Sequence, residues 1–127
     1  MIVLDTSALM GILLAEPEAE ACTVALERAD RVLISAGTLA EALIVAARRG
    51  FGPQMENLIL DIGPEVAAVD RAAAEGAAKA YARWGKGFHH ARLNYGDCFA
   101  YELADRHSCA LLYIGSDFAQ TDIPAVR

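Results

Sequence analysis

The sequence predicts an α/β fold, with a central, mainly parallel sheet of four to five strands flanked by helices. Three observations predict it. Short aliphatic runs alternate with longer amphipathic or Ala-rich segments, most runs end at a polar turn or cap, and no internal repeat or low-complexity linker breaks the alternation. The 127 residues are 55% hydrophobic and 22% charged, which fits a single domain over residues 1–127 with ample material for one core.

Ile2 to Leu4 is a β-branched and aliphatic run too short for a helix, so it reads as a buried strand ending at Asp5. The chain turns helical at Ser7, and Ala8 to Ala15 forms a short apolar helix. Glu16-Pro17-Glu18 breaks it and opens a second helix reaching about Arg28, since Pro and acids both suit a first helical turn. Val32-Leu33-Ile34 is the second strand. Ser35 caps a long segment, Leu39 to Arg49, which sets Leu39, Leu43, Ala46 and Ala47 on one face and stops at Gly50. Pro53 to Asp61 predicts a short helix and Val66 to Val69 a third strand, and Asp70 caps an Ala-rich helix reaching about Trp84. Gly85 to Arg92 is loop. Asn94 caps a helix from about Asp97 to Arg106, and Ala110 to Ile114 is the fourth strand. Gly115-Ser116-Asp117 turns at its end, and Ile123 to Val126 is the candidate fifth strand.

Composition excludes several classes. Disordered and collagen-like chains lack this apolar content. Stretches free of charge, such as Thr6 to Ala15, run ten residues, short of the roughly 18 a membrane span needs. Met1-Ile2-Val3-Leu4-Asp5 has no feature of a secretory signal, so a cytoplasmic location is expected. Cys22, Cys98 and Cys109 are odd in number and widely spaced, which fits reduced, packed thiols rather than disulfides or a Cys-x-x-Cys metal site. Eleven basic against seventeen acidic residues give a net charge of −6. Such a chain binds nucleic acid only through a local basic patch.

Four acids are placed where chemistry is expected. Asp5 ends the first strand and Asp117 follows the fourth, both at the carboxyl edge where parallel sheets form their crevice. Glu41 and Asp97 lie in helices among apolar neighbours, in Leu39-Ala40-Glu41-Ala42-Leu43 and Asp97-Cys98-Phe99-Ala100. Taken singly, each is explained as a turn, cap or solvated residue. Together they repel one another unless a divalent cation neutralises them, and all-oxygen ligands suit Mg²⁺ or Mn²⁺.

Asp5-Thr6-Ser7-Ala8-Leu9, Ser35 to Glu41, Leu93-Asn94-Tyr95-Gly96-Asp97-Cys98-Phe99-Ala100-Tyr101, and Gly115-Ser116-Asp117-Phe118 to Thr121-Asp122-Ile123 occur in order along the whole chain. In these motifs the sequence resembles the PIN-domain nucleases, and among them the VapC-type toxins of prokaryotic toxin–antitoxin pairs. The resemblance implies a PIN-like three-layer sandwich and an endoribonuclease whose Mg²⁺ or Mn²⁺ is held by Asp5, Glu41, Asp97 and Asp117. Asp5 and Asp97 are the direct ligands it favours. Glu41 binds the ion directly, binds it through water or orients the attacking water, and Asp117 completes the cluster. Thr6 and Ser7 shape the first turn, with one hydroxyl bonded to an acid. Ser116 stands where relatives often carry Asp or Asn, which leaves one or two ions open, and Asp122 is either an outer acid or a turn former.

The resemblance also implies products with 5′-phosphate and 3′-hydroxyl ends, a homodimer, and a small VapB-type antitoxin whose basic residue enters the acidic crevice and whose helix lies in an apolar groove. Leu9, Ile12, Leu13 and Leu14 are candidates for that groove or a dimer contact, with core packing the alternative. Gly76 to Gly96 holds Lys79, Arg83, Lys86 and Arg92 and no acid, with Tyr81, Trp84, Phe88 and Tyr95 interleaved. This is either a single-strand RNA groove or a helix with core aromatics, Trp84 and Tyr81 foremost, and a solvated basic face. Arg48 and Arg49 are a second candidate phosphate contact. His89-His90 is a poor site for a hard ion.

Rival readings are weaker. An Asp-x-Asp phosphatase needs an acid where Ser7 stands, and a receiver domain needs a paired-acid start and a mid-chain phosphoacceptor. Two alternatives stay open: a catalytically inactive PIN-like binding module, and a non-toxin nuclease that processes RNA.

Overall fold

The computed structural model describes residues 1–126. Its elements, in chain order, are β1 (Ile2–Leu4), α1 (Thr6–Leu13), α2 (Ala19–Arg28), β2 (Val32–Ser35), α3 (Ala36–Arg48), α4 (Gly52–Ile62), β3 (Glu65–Ala67), α5 (Arg71–Trp84), α6 (Tyr95–Arg106) and β4 (Ala110–Leu112). A single 3-10 turn covers Phe118–Gln120. The four strands pair in parallel in the order β3-β2-β1-β4.

Period-two alternation sorts the strand side chains between two cores. Val3, Leu33 and Leu111 join the cluster under α5 and α6, with Trp84, Leu93, Tyr101 and Leu103. Ile2, Leu4, Ile34 and Leu112 join the opposite cluster, with Leu9 and Ala8 of α1, Ala42 and Ala46 of α3, and Met55 of α4. The result is the expected three layers, helices on both faces of one sheet. Edge strand β3 is short, with Glu65 exposed and held by Arg31 through two bonds of 2.9 and 3.0 Å, which blunts the open edge.

Several boundaries differ from expectation, those of the helices because of their caps and those of the strands because of their pairing. Helix α1 starts at Thr6 because the Asp5 side chain accepts the Ser7 N–H and caps it. Helix α3 starts immediately after its cap, Ser35, three residues before the apolar stripe. Its fully buried positions are Thr38, Ala42 and Ala46; Leu39 and Leu43 are half-buried, and Ala47 is exposed. Likewise α6 begins at Tyr95, directly after Asn94. The third and fourth strands are three residues each, and Ile123 to Val126 makes one bridge, Leu111 to Ala125, instead of a fifth strand. Leu9 lies wholly in the core, while Ile12, Leu13 and Leu14 pack half-buried against it. Cys22 and Cys98 are buried and Cys109 half-buried, all as free thiols.

Strand order reverses direction at β1: the chain moves outward to β2 and β3, then returns to place β4 on the other side. Crevices form at the carboxyl ends of strands beside such a switch. Asp5 follows β1, and the segment carrying Asp117 follows β4. Among the described residues, no helix is long and apolar enough to cross a membrane.

Candidate active site

Asp5 is the pivot of the crevice. Its N–H donates to Leu112 O at 3.1 Å, extending the β1–β4 ladder by one residue and fixing the acid at the switch point. Oδ2 accepts from Ser7 N at 3.0 Å and Ser7 Oγ at 2.6 Å. Ser7 Oγ in turn accepts the Ile114 N–H at 3.0 Å, tying the segment after β4 to the first turn. The other carboxylate oxygen, Oδ1, is buried and has no hydrogen-bond partner. Burial above all, and the nearby Glu41 charge to a lesser degree, push the Asp5 carboxyl up to about 6 against the pull of the Ser7 bonds.

Glu41, half-buried on α3, is aimed by the Thr6 hydroxyl, which donates to its Oε1 at 2.6 Å. Gly96 makes room for that carboxylate: a methyl at position 96 would overlap the Glu41 oxygens. The Phe99 ring lies over Gly37 in the same manner, so the start of α6 sits directly on the start of α3. Asp97 closes a capping box, accepting the Asn94 N–H at 3.0 Å while Asn94 Oδ1 accepts the Asp97 N–H at 2.9 Å. Its carboxyl is pushed up to about 7, first by burial, then by the charges of Asp5, Glu41 and Asp117. The charges of Asp5, Glu41 and Asp117 thus all reach Asp97, at the carboxyl-end side of the sheet where β1 and β4 end.

The PIN domain family matches residues 2–124. Ribonuclease VapC30 of Mycobacterium tuberculosis is 45% identical, over 98% of this chain and 97% of its own. The chain belongs to the PIN-domain family of VapC ribonucleases. Among solved structures, Mycobacterium tuberculosis VapC20, a toxin that cleaves the sarcin–ricin loop, superposes with a TM-score of 0.80 at 16% identity, covering 100% of this chain and 99% of the other. The toxin–antitoxin complex from Klebsiella pneumoniae gives 0.71 at 18% identity, covering 96% and 93%. At those identities the likeness concerns the fold.

PIN-domain ribonucleases depend on a divalent metal, and the donor chemistry here fits one. The facing donors are carboxylate oxygens, which suit hard ions, and Asp5 Oδ1 is a buried anionic oxygen for which the protein provides no partner. Among the described residues, no three acids, histidines or cysteines converge into a ready-made chelate. Asp5, Glu41 and Asp97 are instead each steered by a hydroxyl or backbone donor of their own, while Asp117 is exposed on its turn.

The remaining candidates separate. Ser116 and Asp117 are exposed on the turn after β4, with Asp117 leading into the 3-10 turn. Asp122 is engaged elsewhere, accepting from Tyr101 Oη at 2.5 Å and pairing with Arg83 at 3.5 Å. Lys79, Lys86 and Arg92 are exposed, and Arg83 lies 4.4 Å over the Trp84 ring. Trp84 is core, Tyr81 is half-buried, and Phe88 and Tyr95 are exposed. Sequence reading passed over Gly96 as a site residue. Nothing local marks it, because the neighbour that demands glycine is 55 residues away in the chain. The Asn94/Asp97 box, by contrast, has a readable spacing.

Proposed function

We propose that the protein is a Mg²⁺-dependent endoribonuclease, Mn²⁺ being a substitute, that hydrolyses RNA phosphodiester bonds at the crevice of Asp5, Glu41, Asp97 and Asp117. The observation that carries this reading is the mutual charge of four carboxylates brought from β1, α3, α6 and the turn after β4. Asp5, through its unpartnered Oδ1, and Asp97 hold the ion, with Asp117 completing the set. A divalent ion in this place supplies charge neutralisation at the phosphate and lowers the pKa of a water. Glu41, held by Thr6, would bind the ion directly or through water, or orient the attacking water. Ser7 keeps Asp5 Oδ2 occupied, so that the carboxylate presents Oδ1. The Lys79, Arg83, Lys86 and Arg92 stretch supplies phosphate contacts within an acidic protein.

The chain acts as the toxin of a toxin–antitoxin pair in the cytoplasm. A complex of that kind is among its structural likenesses, and an antitoxin's basic residue would find four acids in the crevice. A groove between α1, α2 and α4, lined by Ile12, Leu26, Leu58 and Ile62 with a volume near 370 Å³, suits the apolar face of a partner helix. A homodimer is consistent with the exposed Ile44 and Tyr95 beside a 710 Å³ apolar cleft that reaches Phe99.

The test compares cleavage of total RNA by antitoxin-free wild type and Asp5→Asn, each with Mg²⁺, Mn²⁺ or EDTA. Metal-dependent cutting that is lost in the variant and leaves 5′-phosphates is expected. A folded wild type that neither binds metal nor cuts RNA would make the inactive binding-module reading correct.

A further inference from the structure

The loop between α5 and α6 is neither mobile filler nor part of the acid crevice. Gly85 and Leu93 form a bridge, Lys86 N–H donates to Leu93 O at 2.9 Å, and Leu93 N–H donates to Trp84 O at 3.1 Å. Inside that neck, the N–H groups of Phe88 and His89 both donate to Gly85 O, at 2.9 and 3.0 Å, and Arg92 N–H donates to His89 O at 3.1 Å. Gly87 supplies the positive φ of +92° that so tight a turn needs. His89, half-buried, meets Trp84 edge-on at 4.7 Å and accepts the Ala91 N–H on Nδ1 at 2.9 Å.

This frame holds Phe88 outward. The ring is 67% exposed, with one edge contact to Tyr81 at 5.9 Å. Lys86 and Arg92 of the same loop are exposed, Arg83 at the end of α5 is exposed and paired with Asp122, and no acid occurs between Gly76 and Gly96 in the sequence. The loop is also fastened to both sides of the active site. Its exit is Asn94, the partner of Asp97 in the capping box, and His90 Nε2 is hydrogen-bonded to Gln120 at 3.1 Å, in the 3-10 turn that Asp117 begins.

Resting on the ribonuclease reading, the geometry points to Phe88 as the stacking platform for an unpaired base of the RNA strand near the scissile phosphate, with Lys86 and Arg92 gripping the adjoining phosphates. Bases stack on aromatic faces only where they are free of a duplex, so the platform selects single-stranded substrate. The cations call for a polyanion, and the exposed ring among them favours one that carries stackable bases over an acidic peptide. A rigid loop also spends little conformational entropy on binding.

The experiment measures affinity in EDTA, where no cutting occurs, for a single-stranded RNA of about 12 nucleotides and for its duplex. Phe88 is exposed, so substitutions there leave the fold intact. Phe88→Ala is expected to weaken single-strand binding about tenfold, the size of a lost base stack, and to leave duplex binding unchanged. Phe88→Trp is expected to restore it. Unchanged single-strand affinity in Phe88→Ala, equal loss on both RNAs, or a change in the protein's mass in solution would each overturn the assignment. The ribonuclease reading fails by a different result, wild type with metal cutting no RNA, and the EDTA affinities still decide Phe88.

Discussion

The Thr6 hydroxyl donates to Glu41 Oε1 at 2.6 Å, joining residues 35 apart in sequence and linking the first turn of α1 to the middle of α3. Thr6 is nearly buried, so this bond has little competition from water and sets where the carboxylate points. Thr6→Val keeps the shape and removes the donor. It is expected to lower RNA cleavage by roughly 10- to 100-fold, as loss of a supporting bond to a metal-site carboxylate does, while Thr6→Ser retains activity. Cleavage rates at saturating Mg²⁺ check this.

Gly96→Ala tests the close seat of α6 on α3. The new methyl meets the Glu41 carboxylate, and Glu41 must swing away from Thr6 or α6 must shift. Activity is expected to fall at least about tenfold, with stability lowered by about 1–3 kcal/mol, the usual range for overpacking. Pairing it with Glu41→Ala, which empties the seat, is expected to recover the stability and not the activity.

Stability in EDTA is expected to fall as pH rises. Asp97 titrates near 7 when folded, against an ordinary value of 3.8, so the folded state binds the proton that the unfolded state has already lost. Its favourable contribution is complete below about pH 4 and is lost as pH rises through 7. Asp5, raised to about 6, acts in the same sense. Asp97→Asn removes the charge while its side-chain oxygen can still accept the Asn94 N–H. At pH 8 the variant is expected to be more stable by on the order of 2–4 kcal/mol, with the gap closing toward pH 4. Urea unfolding across pH measures it.

Asp122 divides two readings cleanly. Its carboxylate accepts from Tyr101 and pairs with Arg83, which describes a brace between α6 and the C-terminal segment. Tyr101→Phe is expected to cost about 1–2 kcal/mol of stability, as loss of a hydrogen bond to a charged group does, and to leave cleavage within about twofold. A large loss of activity at unchanged stability would instead assign Asp122 to the metal site.

Much of the fold was legible because its signals are local. Strand runs at Ile2, Val32 and Ala110, and caps at Ser35, Asp70 and Asn94, all depend on residues within one turn of each other. The strand errors fell where a distant partner sets the boundary. The third and fourth strands stop after three residues because their neighbours offer no longer register, and the 123–126 segment reaches only Leu111. Of the four candidate acids, Asp5, Asp117 and Asp97 are marked in the sequence by a strand end, a turn or a helix start, whereas Glu41, in the middle of α3, is marked only by its apolar neighbours. The basic stretch was not divisible in advance: periodicity says nothing of whether Trp84 turns inward and Phe88 outward, which the 85–93 loop decides.

By itself, the sequence determined the parallel α/β plan, the four acids and the family, because aliphatic runs, caps and motifs are written in neighbouring residues. Only tertiary structure decided how those carboxylates are held. Asp5 keeps one oxygen free because Ser7 occupies the other. Glu41 points where it does because Thr6 and Gly96 flank it, and the Asp97 carboxyl is raised first by burial and then by the charges of Asp5, Glu41 and Asp117. Desolvation and Coulomb energy depend on distance through space, and the packing of α6 on α3 and the sheet sets those distances.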